Sequence, residues 1–424
     1  MKKGIIILLA ALLTGSAAFA QEEKPAHFKL YGFIRNYMTA DTRAVNAGTE
    51  DLYYYMPKGH DYRNANSDIA FDANEGFNWR FVSLTTRLGL DVSGYKFGTM
   101  GVSGKVEADF YNLSGSVPIL RLRQAFMKLS WDNSPVSLTL GQTWHPMAAD
   151  MPHMNNLETG APFNPFNRSP QLTLDYKAGD FTFTASLLYL NHYLPTGPAG
   201  KTKDYYKYGL PELYAGVTYK SGKFMGKLGV DMQNLRPTRT IAATWVNSPN
   251  ATAQVSSLFT TISPFIFLQY TDGKFQLRAK SILAQSGEHM NLLSGYGMAS
   301  IEPDGGKAKI TYTPMQDWAS FVSFSYGKKV QAMCMLGYMK QLGTTKDVLS
   351  GYFWMNNSAD ERIQQAFRAT PTVAWNIGKF TLSLEYNLTA AEFGSGVRDA
   401  RGMYTGDKEW ILNHRFICMT KFNF

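Results

Sequence analysis

Between Met100 and Tyr111 the side chains alternate with a period of two. Met100, Val102, Gly104, Val106, Ala108 and Phe110 share one face; Gly101, Ser103, Lys105, Glu107, Asp109 and Tyr111 share the other. Successive side chains of a strand point to opposite faces, so this is a strand with one apolar and one charged side. The pattern returns elsewhere. Val82, Leu84, Leu88, Leu90 and Val92 oppose Ser83, Thr85, Arg87 and Asp91, and Phe380, Leu382, Leu384, Tyr386 and Leu388 oppose Thr381, Ser383, Glu385, Asn387 and Thr389. A soluble sandwich would alternate too. Many of these strands, however, run about ten to thirteen residues, which suits a tilted strand crossing a bilayer. Soluble strands are usually half that length.

The connections separate the two cases further. Short ones (93–98, 131–135, 177–180, 220–223, 271–274, 326–329, 378–379) alternate with long ones (39–77, 146–169, 193–210, 235–256, 286–305, 343–363, 391–411), with 112–117 as a short exception. Short periplasmic turns and long outer loops are the asymmetry of bacterial transmembrane barrels. Reading 308–326 as one strand with a bulge at Pro314 preserves the alternation and gives sixteen strands, the even number such a barrel requires. The fold expected is therefore all-β: a transmembrane antiparallel β-barrel of sixteen strands.

Lys2 and Lys3, an apolar run from Gly4 to Thr14 and Ala18-Phe19-Ala20 read as a signal peptide cleaved before Gln21. The expected organisation is residues 1–20 as signal, 21–27 as a short periplasmic N-terminus and 28–424 as barrel, placed in a Gram-negative outer membrane. The sequence stops on a strand whose last residue is Phe424, which resembles the assembly signal of such barrels. Trp79, Phe110, Trp131, Trp144, Tyr219, Tyr270, Phe275 and Phe424 lie near strand ends and are expected in the two interfacial girdles. Cys334 and Cys418 fall on strands three apart, so no disulfide is expected between them.

The formal charge is +9, and loss of Lys2 and Lys3 with the leader makes it +7. No block of Lys and Arg appears and the chain is exported, so nucleic acid is not the expected partner. The cations instead fall at strand spacing. Strand parity puts Arg35, Arg87, Lys105, Arg121 and Arg123 inside on the first four strands and Arg415 inside on the last, which closes against the first. Lys227, Arg278, Lys280 and Arg368 add positive charge elsewhere, opposed by Asp91, Glu107, Asp109, Asp175, Glu212, Asp231 and Glu385. Inward Lys and Arg favour anions in a pore, although they also simply solvate a wet lumen. Gln124 and Lys128 break the parity of the fourth strand, which a bulge near Gln124 would explain.

The connection 146–169 holds Pro162-Phe163 and Pro165-Phe166 with Asp150, His153, Glu158 and Arg168. Proline restricts the backbone, so this loop is either a narrowing element folded into the channel or an ordinary solvated outer loop. His145, Asp150 and His153 lack a compact ligand spacing, so neither metal nor cofactor is expected.

Gly141-Gln142-Thr143-Trp144 and Asn167-Arg168-Ser169-Pro170-Gln171-Leu172 resemble the corresponding stretches of DcaP-like trimeric porins. The resemblance implies a sixteen-stranded outer-membrane channel, a homotrimer set in outer-membrane lipid, and passive uptake of small hydrophilic solutes, among them anions such as dicarboxylates. It also implies Arg168 as a constriction residue. Members of that family can carry an N-terminal coiled coil, for which the short segment 21–27 leaves no room.

The expected function is thus a diffusion porin with a modest preference for anions, and not an enzyme. An outer-membrane lipase or protease is the alternative, but no Gly-x-Ser-x-Gly elbow or recognisable triad is present. An adhesive or structural barrel is the other.

Overall fold

The computed structural model describes residues 26–112, 117–248, 250–355 and 360–424. The expected signal peptide, most of the segment 21–27 and most of the connection 112–117 lie outside them. Sixteen strands form one closed antiparallel sheet. They are β1 His27–Arg43, β2 Glu75–Val82 with Arg87–Phe97, β3 Met100–Tyr111, β4 Ile119–Trp131, β5 Val136–Trp144 and β6 Arg168–Ala178. Then follow β7 Phe181–Leu188, β8 Leu210–Ser221, β9 Phe224–Leu235, β10 Phe259–Asp272 and β11 Phe275–Gln285. The last five are β12 Lys307–Gly327, β13 Val330–Thr344, β14 Ile363–Ala369 with Thr372–Ile377, β15 Phe380–Gly394 and β16 Lys408–Asn423.

Each strand pairs with its neighbours in sequence, and β16 returns to β1 with Arg35 opposite Lys421 and Asp41 opposite Arg415. The seam is sealed by Phe424, whose amide donates to the Gly32 carbonyl at 3.1 Å. Glycine is needed at 32 because a Cβ would lie 2.5 Å from the Arg87 carbonyl oxygen and 2.6 Å from the Phe424 ring. Closure satisfies the edge N–H and C=O groups that hydrocarbon cannot.

Large apolar side chains cover the outside: Met38, Phe81, Leu122, Leu174, Phe183, Leu228, Ile266, Val322, Leu336, Leu384 and Phe416 are all exposed. An apolar belt around a whole domain is intolerable in water and marks a lipid-facing surface. Among the described residues no helix is long and apolar enough to cross a membrane; the strands cross. At one rim, tight turns join the strands at 98–99, 179–180, 222–223, 273–274, 328–329 and 378–379. Gly222 and Gly273 open two of them at φ 54° and 59°, a left-handed backbone that side chains resist. Long loops crowd the other rim.

Three local expectations needed correction. Residues 307–327 do form one strand, but its irregularity falls at Gln316–Asp317 and not at Pro314, which pairs with Tyr296 of a loop strand above the barrel. The strand through 82–92 is interrupted at 83–86, where Thr85 takes φ 69° and Leu84 turns inside against Tyr37, Leu157 and Ile417. Trp144 is not a girdle residue: as β5 turns into its loop, the indole packs against Phe166 at 5.4 Å. Trp79, Tyr219, Tyr270 and Phe424 are exposed as expected. The bulge expected near Gln124 is present, since Glu107 pairs with Gln124 while Ala108 pairs with Leu122. Arg121 and Arg123 consequently both face inward. Cys334 and Cys418 are free thiols.

Candidate functional site

Residues 145–167 leave the rim, fold into the barrel and cross it. The two stretches at the neck of this loop, 141–144 and 167–172, lie side by side. Trp144 pairs with Arg168, the His145 amide donates to the Asn167 carbonyl at 3.1 Å, and the Arg168 guanidinium stacks over Trp144 at 4.8 Å. Farther in, inward side chains of the wall seize the loop one after another. Lys227 pairs with Asp150 at 2.7 Å, Arg278 donates to the Met151 carbonyl at 2.7 Å, and Lys280 donates to the Met147 carbonyl and Asn164 Oδ1, both at 2.8 Å. The His153 amide donates to Ser323 Oγ at 2.8 Å, the Asn156 amide to Glu385 Oε1 at 3.2 Å, and the Tyr37 hydroxyl to the Asn155 carbonyl at 3.0 Å. The Pro-Phe pairs serve as wedges: Phe163 and Phe166 are buried in the central apolar cluster.

Gly337 of β13 makes room for the Phe163 ring, for a Cβ there would lie 2.5 Å from Phe163 Cγ. Gly337→Val is therefore expected to lower the unfolding midpoint in urea, with an overpacking cost of about 1–3 kcal/mol. It is also expected to push the loop off the wall, raising single-channel conductance. An unchanged midpoint and conductance would show that this packing does not hold the loop.

The first outer loop enters as well, as a hairpin of Val45–Gly48 and Tyr53–Pro57. Arg368 joins both loops: its guanidinium donates to Glu158 Oε1 at 3.0 Å, the Ala161 carbonyl at 3.0 Å and the Tyr55 carbonyl at 2.6 Å. Arg415 donates to Asp41 through Nε and Nη2, both at 2.8 Å, and to the Asp51 carbonyl at 2.7 Å. Lys280, Arg368 and Arg415 are thus buried loop anchors. Outside the membrane span, a knot ties the same loop down, with Arg43 and His60 each 2.6 Å from Asp72. Burial pushes the Asp72 carboxyl up, but the amides of Asp61 and Asn74, with His60 and Arg43, outweigh it and hold the group well below the usual carboxylate range.

The loop 145–167 makes hydrogen bonds to β1, β8, β9, β11, β12, β14 and β15; among the described residues it makes none to β2, β3 or β4. The wall it leaves free is the basic one. There Asp109, wholly buried, accepts from Arg121 Nε at 3.0 Å and Arg123 Nη1 at 2.6 Å, while Glu107 accepts from Arg123 Nε at 2.9 Å and lies 3.6 Å from Arg87. Lys105 pairs with Asp91 at 2.7 Å. Arg35, whose guanidinium donates to Thr85 Oγ1 at 2.7 Å, and Lys421, opposite it across the seam, keep no carboxylate among the described residues. Lys421 shares the parity of Arg415, so extending the inward face of β16 by three pairs would have found it. Toward the outer rim, a polar cavity of about 480 Å³ opens between the two loops and β3–β4, bounded by Asp51, Lys58, Tyr111, Arg121, Phe166 and Tyr193.

Of the histidines and acids in the loop neck, Asp150 and His153 go separate ways, to Lys227 and Gln276. His145 instead meets Glu212, Asp231 and His289, residues far apart in the sequence.

No family model matches the sequence, and no curated protein does. Solved structures do match by fold. The outer membrane channel DcaP of Acinetobacter baumannii superposes with a TM-score of 0.64 at 18% identity, covering 96% of this chain and 100% of that one. An anion-selective porin from Comamonas acidovorans gives 0.55 at 10% identity, covering 94% and 100%. OmpT, an outer-membrane protein of Vibrio cholerae, gives 0.53 at 12%, covering 95% and 99%. The chain has the architecture of a DcaP-like sixteen-stranded outer-membrane porin.

Proposed function

We propose that this protein is a passive porin of the Gram-negative outer membrane, working as a homotrimer and passing small hydrophilic solutes with a modest preference for anions such as dicarboxylates. The observation that carries this reading is the position of the loop 145–167. It is fastened to one side of the lumen and leaves free the wall where Arg35, Arg87, Lys105, Arg121, Arg123 and Lys421 outnumber Asp91, Glu107 and Asp109. Cations lining a narrow aqueous passage favour anions in transit. The acids neutralise about half of the charge, which makes the preference modest. Arg168 and Arg278 border the loop and complete the proposed solute path. No role as an enzyme is proposed: a channel and a porin are among the matching folds, and among the described residues the loop closes over no recognisable nucleophile and base. One match was solved in a form described as a trimer, which supports the proposed assembly.

The test is the reversal potential of the folded protein in a planar bilayer under a salt gradient. Stable conductance with a reversal potential on the anion side is expected. A cation-side potential would overturn the charge assignment, and no conductance from folded protein would overturn the porin.

A further inference from the structure

We propose that His145, Glu212, Asp231 and His289 form a binding site for a zinc-class divalent cation, which staples the inward-folded loops to the barrel wall. Glu212 lies near the outer end of β8 and Asp231 near that of β9. His145 is the first residue of the crossing loop, and His289 sits in a single 3₁₀ turn, Gly287–Met290, of another inward loop. All four are at least 97% buried.

Their donor atoms converge. His145 Nε2 is 2.9 Å from Glu212 Oε1 and 3.6 Å from Asp231 Oδ1; His289 Nε2 is 3.3 Å from Glu212 Oε1 and 3.7 Å from Asp231 Oδ2. One ligand atom from each residue lies within 4.8 Å of the others. Four donors placed about 2.0–2.1 Å from a tetrahedral zinc stand roughly 3.3 Å apart, so these spacings straddle the value that coordination needs.

A second observation is independent of the spacing. Both oxygens of Asp231, Oε2 of Glu212 and both ring nitrogens of His289 are buried without a hydrogen-bond partner. Two imidazolium ions facing two carboxylates would balance charge at these ion-pair distances, yet the atoms named make no hydrogen bond, at about 1–3 kcal/mol each. A shared cation would take up His289 Nε2 and an oxygen of Asp231, the orphans that lie among the converging donors. The donor set selects its class: two imidazole nitrogens with two carboxylate oxygens suit zinc and its first-row neighbours, whereas calcium and magnesium take all-oxygen shells. Four protein ligands and deep burial describe a structural site.

The surroundings suit a staple. Beside His289, the Phe166 amide donates to the Met290 carbonyl at 2.8 Å and Asn167 bonds the His289 carbonyl, so the site clamps both ends of the crossing loop. One bond must yield. The Met147 amide donates to His145 Nδ1 at 3.2 Å, which places the ring proton on Nε2 in the ion-free form. Coordination through Nε2 moves that proton to Nδ1 and turns the Met147 amide aside.

The experiment loads the full-length folded protein with zinc, dialyses it against a weak chelator and measures retained metal beside Asp231→Asn and His289→Gln. The wild type is expected to keep one zinc per chain, and each variant to bind about 100-fold more weakly, since even an outer-shell loss costs 10–100-fold. X-ray absorption at the zinc edge of the wild type should report two imidazoles and two oxygens, a readout that stands even where a variant fails to fold. Folded wild type that retains no zinc, retention equal to that of the variants, or a shell without two imidazoles would each overturn the proposal.

Discussion

Replacing Arg35 and Lys421 together by Ser shifts the reversal potential toward the cation side, with the barrel still folded by its heat-modifiable mobility on gels. Neither has a carboxylate partner among the described residues, and they face each other across the β1–β16 seam. A unit charge about 5 Å from a passing ion in water is worth roughly 0.8 kcal/mol, so each removal should weaken anion entry about fourfold and ease cation entry to the same degree. The effect should shrink between 0.1 M and 1 M salt as screening shortens the reach of each charge. Arg121→Ser with Arg123→Ser behaves differently. It strips Asp109 of both its cations and leaves Glu107 with Arg87, and a buried acid left unpaired costs about 3–5 kcal/mol. That pair should therefore lose stability as well as anion preference. Equal stability loss in both double variants, or unchanged selectivity in the first, would remove Arg35 and Lys421 from the solute path.

Arg368→Ala is expected to produce the largest structural effect. Its guanidinium is fully buried and bonds both the crossing loop and the first outer loop from β14. Truncation leaves Glu158 and the Tyr55 and Ala161 carbonyls without this donor, a loss of about 3–5 kcal/mol. The unfolding midpoint in urea should fall, and with two loops released, single-channel conductance should rise and fluctuate. Arg368→Lys should not rescue, because an ammonium lacks the planar fork that reaches Thr389 Oγ1 as well as Glu158 and the Ala161 and Tyr55 carbonyls. Arg368→Met combined with Glu158→Gln should recover much of the stability, since removing both charges is far cheaper than orphaning one. A conductance indistinguishable from wild type in Arg368→Ala would show that the loops hold their place without it.

Much of the wall was legible beforehand. Alternation in β3 and β15 identified which side chains face lipid, and loop parity gave the strand count. Where the reading slipped, the cause was a local break in period two. At 83–86 the chain interrupts β2 so that Thr85 can hold Arg35; at Trp144 the strand is already turning into a loop. Neither event leaves a mark on the hydrophobic pattern, because both depend on what the neighbouring strand and loop present. The positive φ of Thr85 is a tertiary fact of this kind.

The candidate site divides the same way. Alternation alone determined that Arg121, Arg123, Arg368 and Arg415 point inward, for parity is a property of one strand and needs no partner. Only the tertiary structure decided that Arg368 and Arg415 anchor loops, that Arg121 and Arg123 are neutralised, and that Lys421 is left beside Arg35. Those outcomes depend on strand stagger and on where the loop 145–167 comes to rest. His145, Glu212, Asp231 and His289 span almost 150 positions and carry no motif spacing; barrel closure and two inward loops bring them together. Sequence sets which way each side chain faces, and the closed barrel sets what it meets, because direction is fixed by one residue's backbone and contact by two.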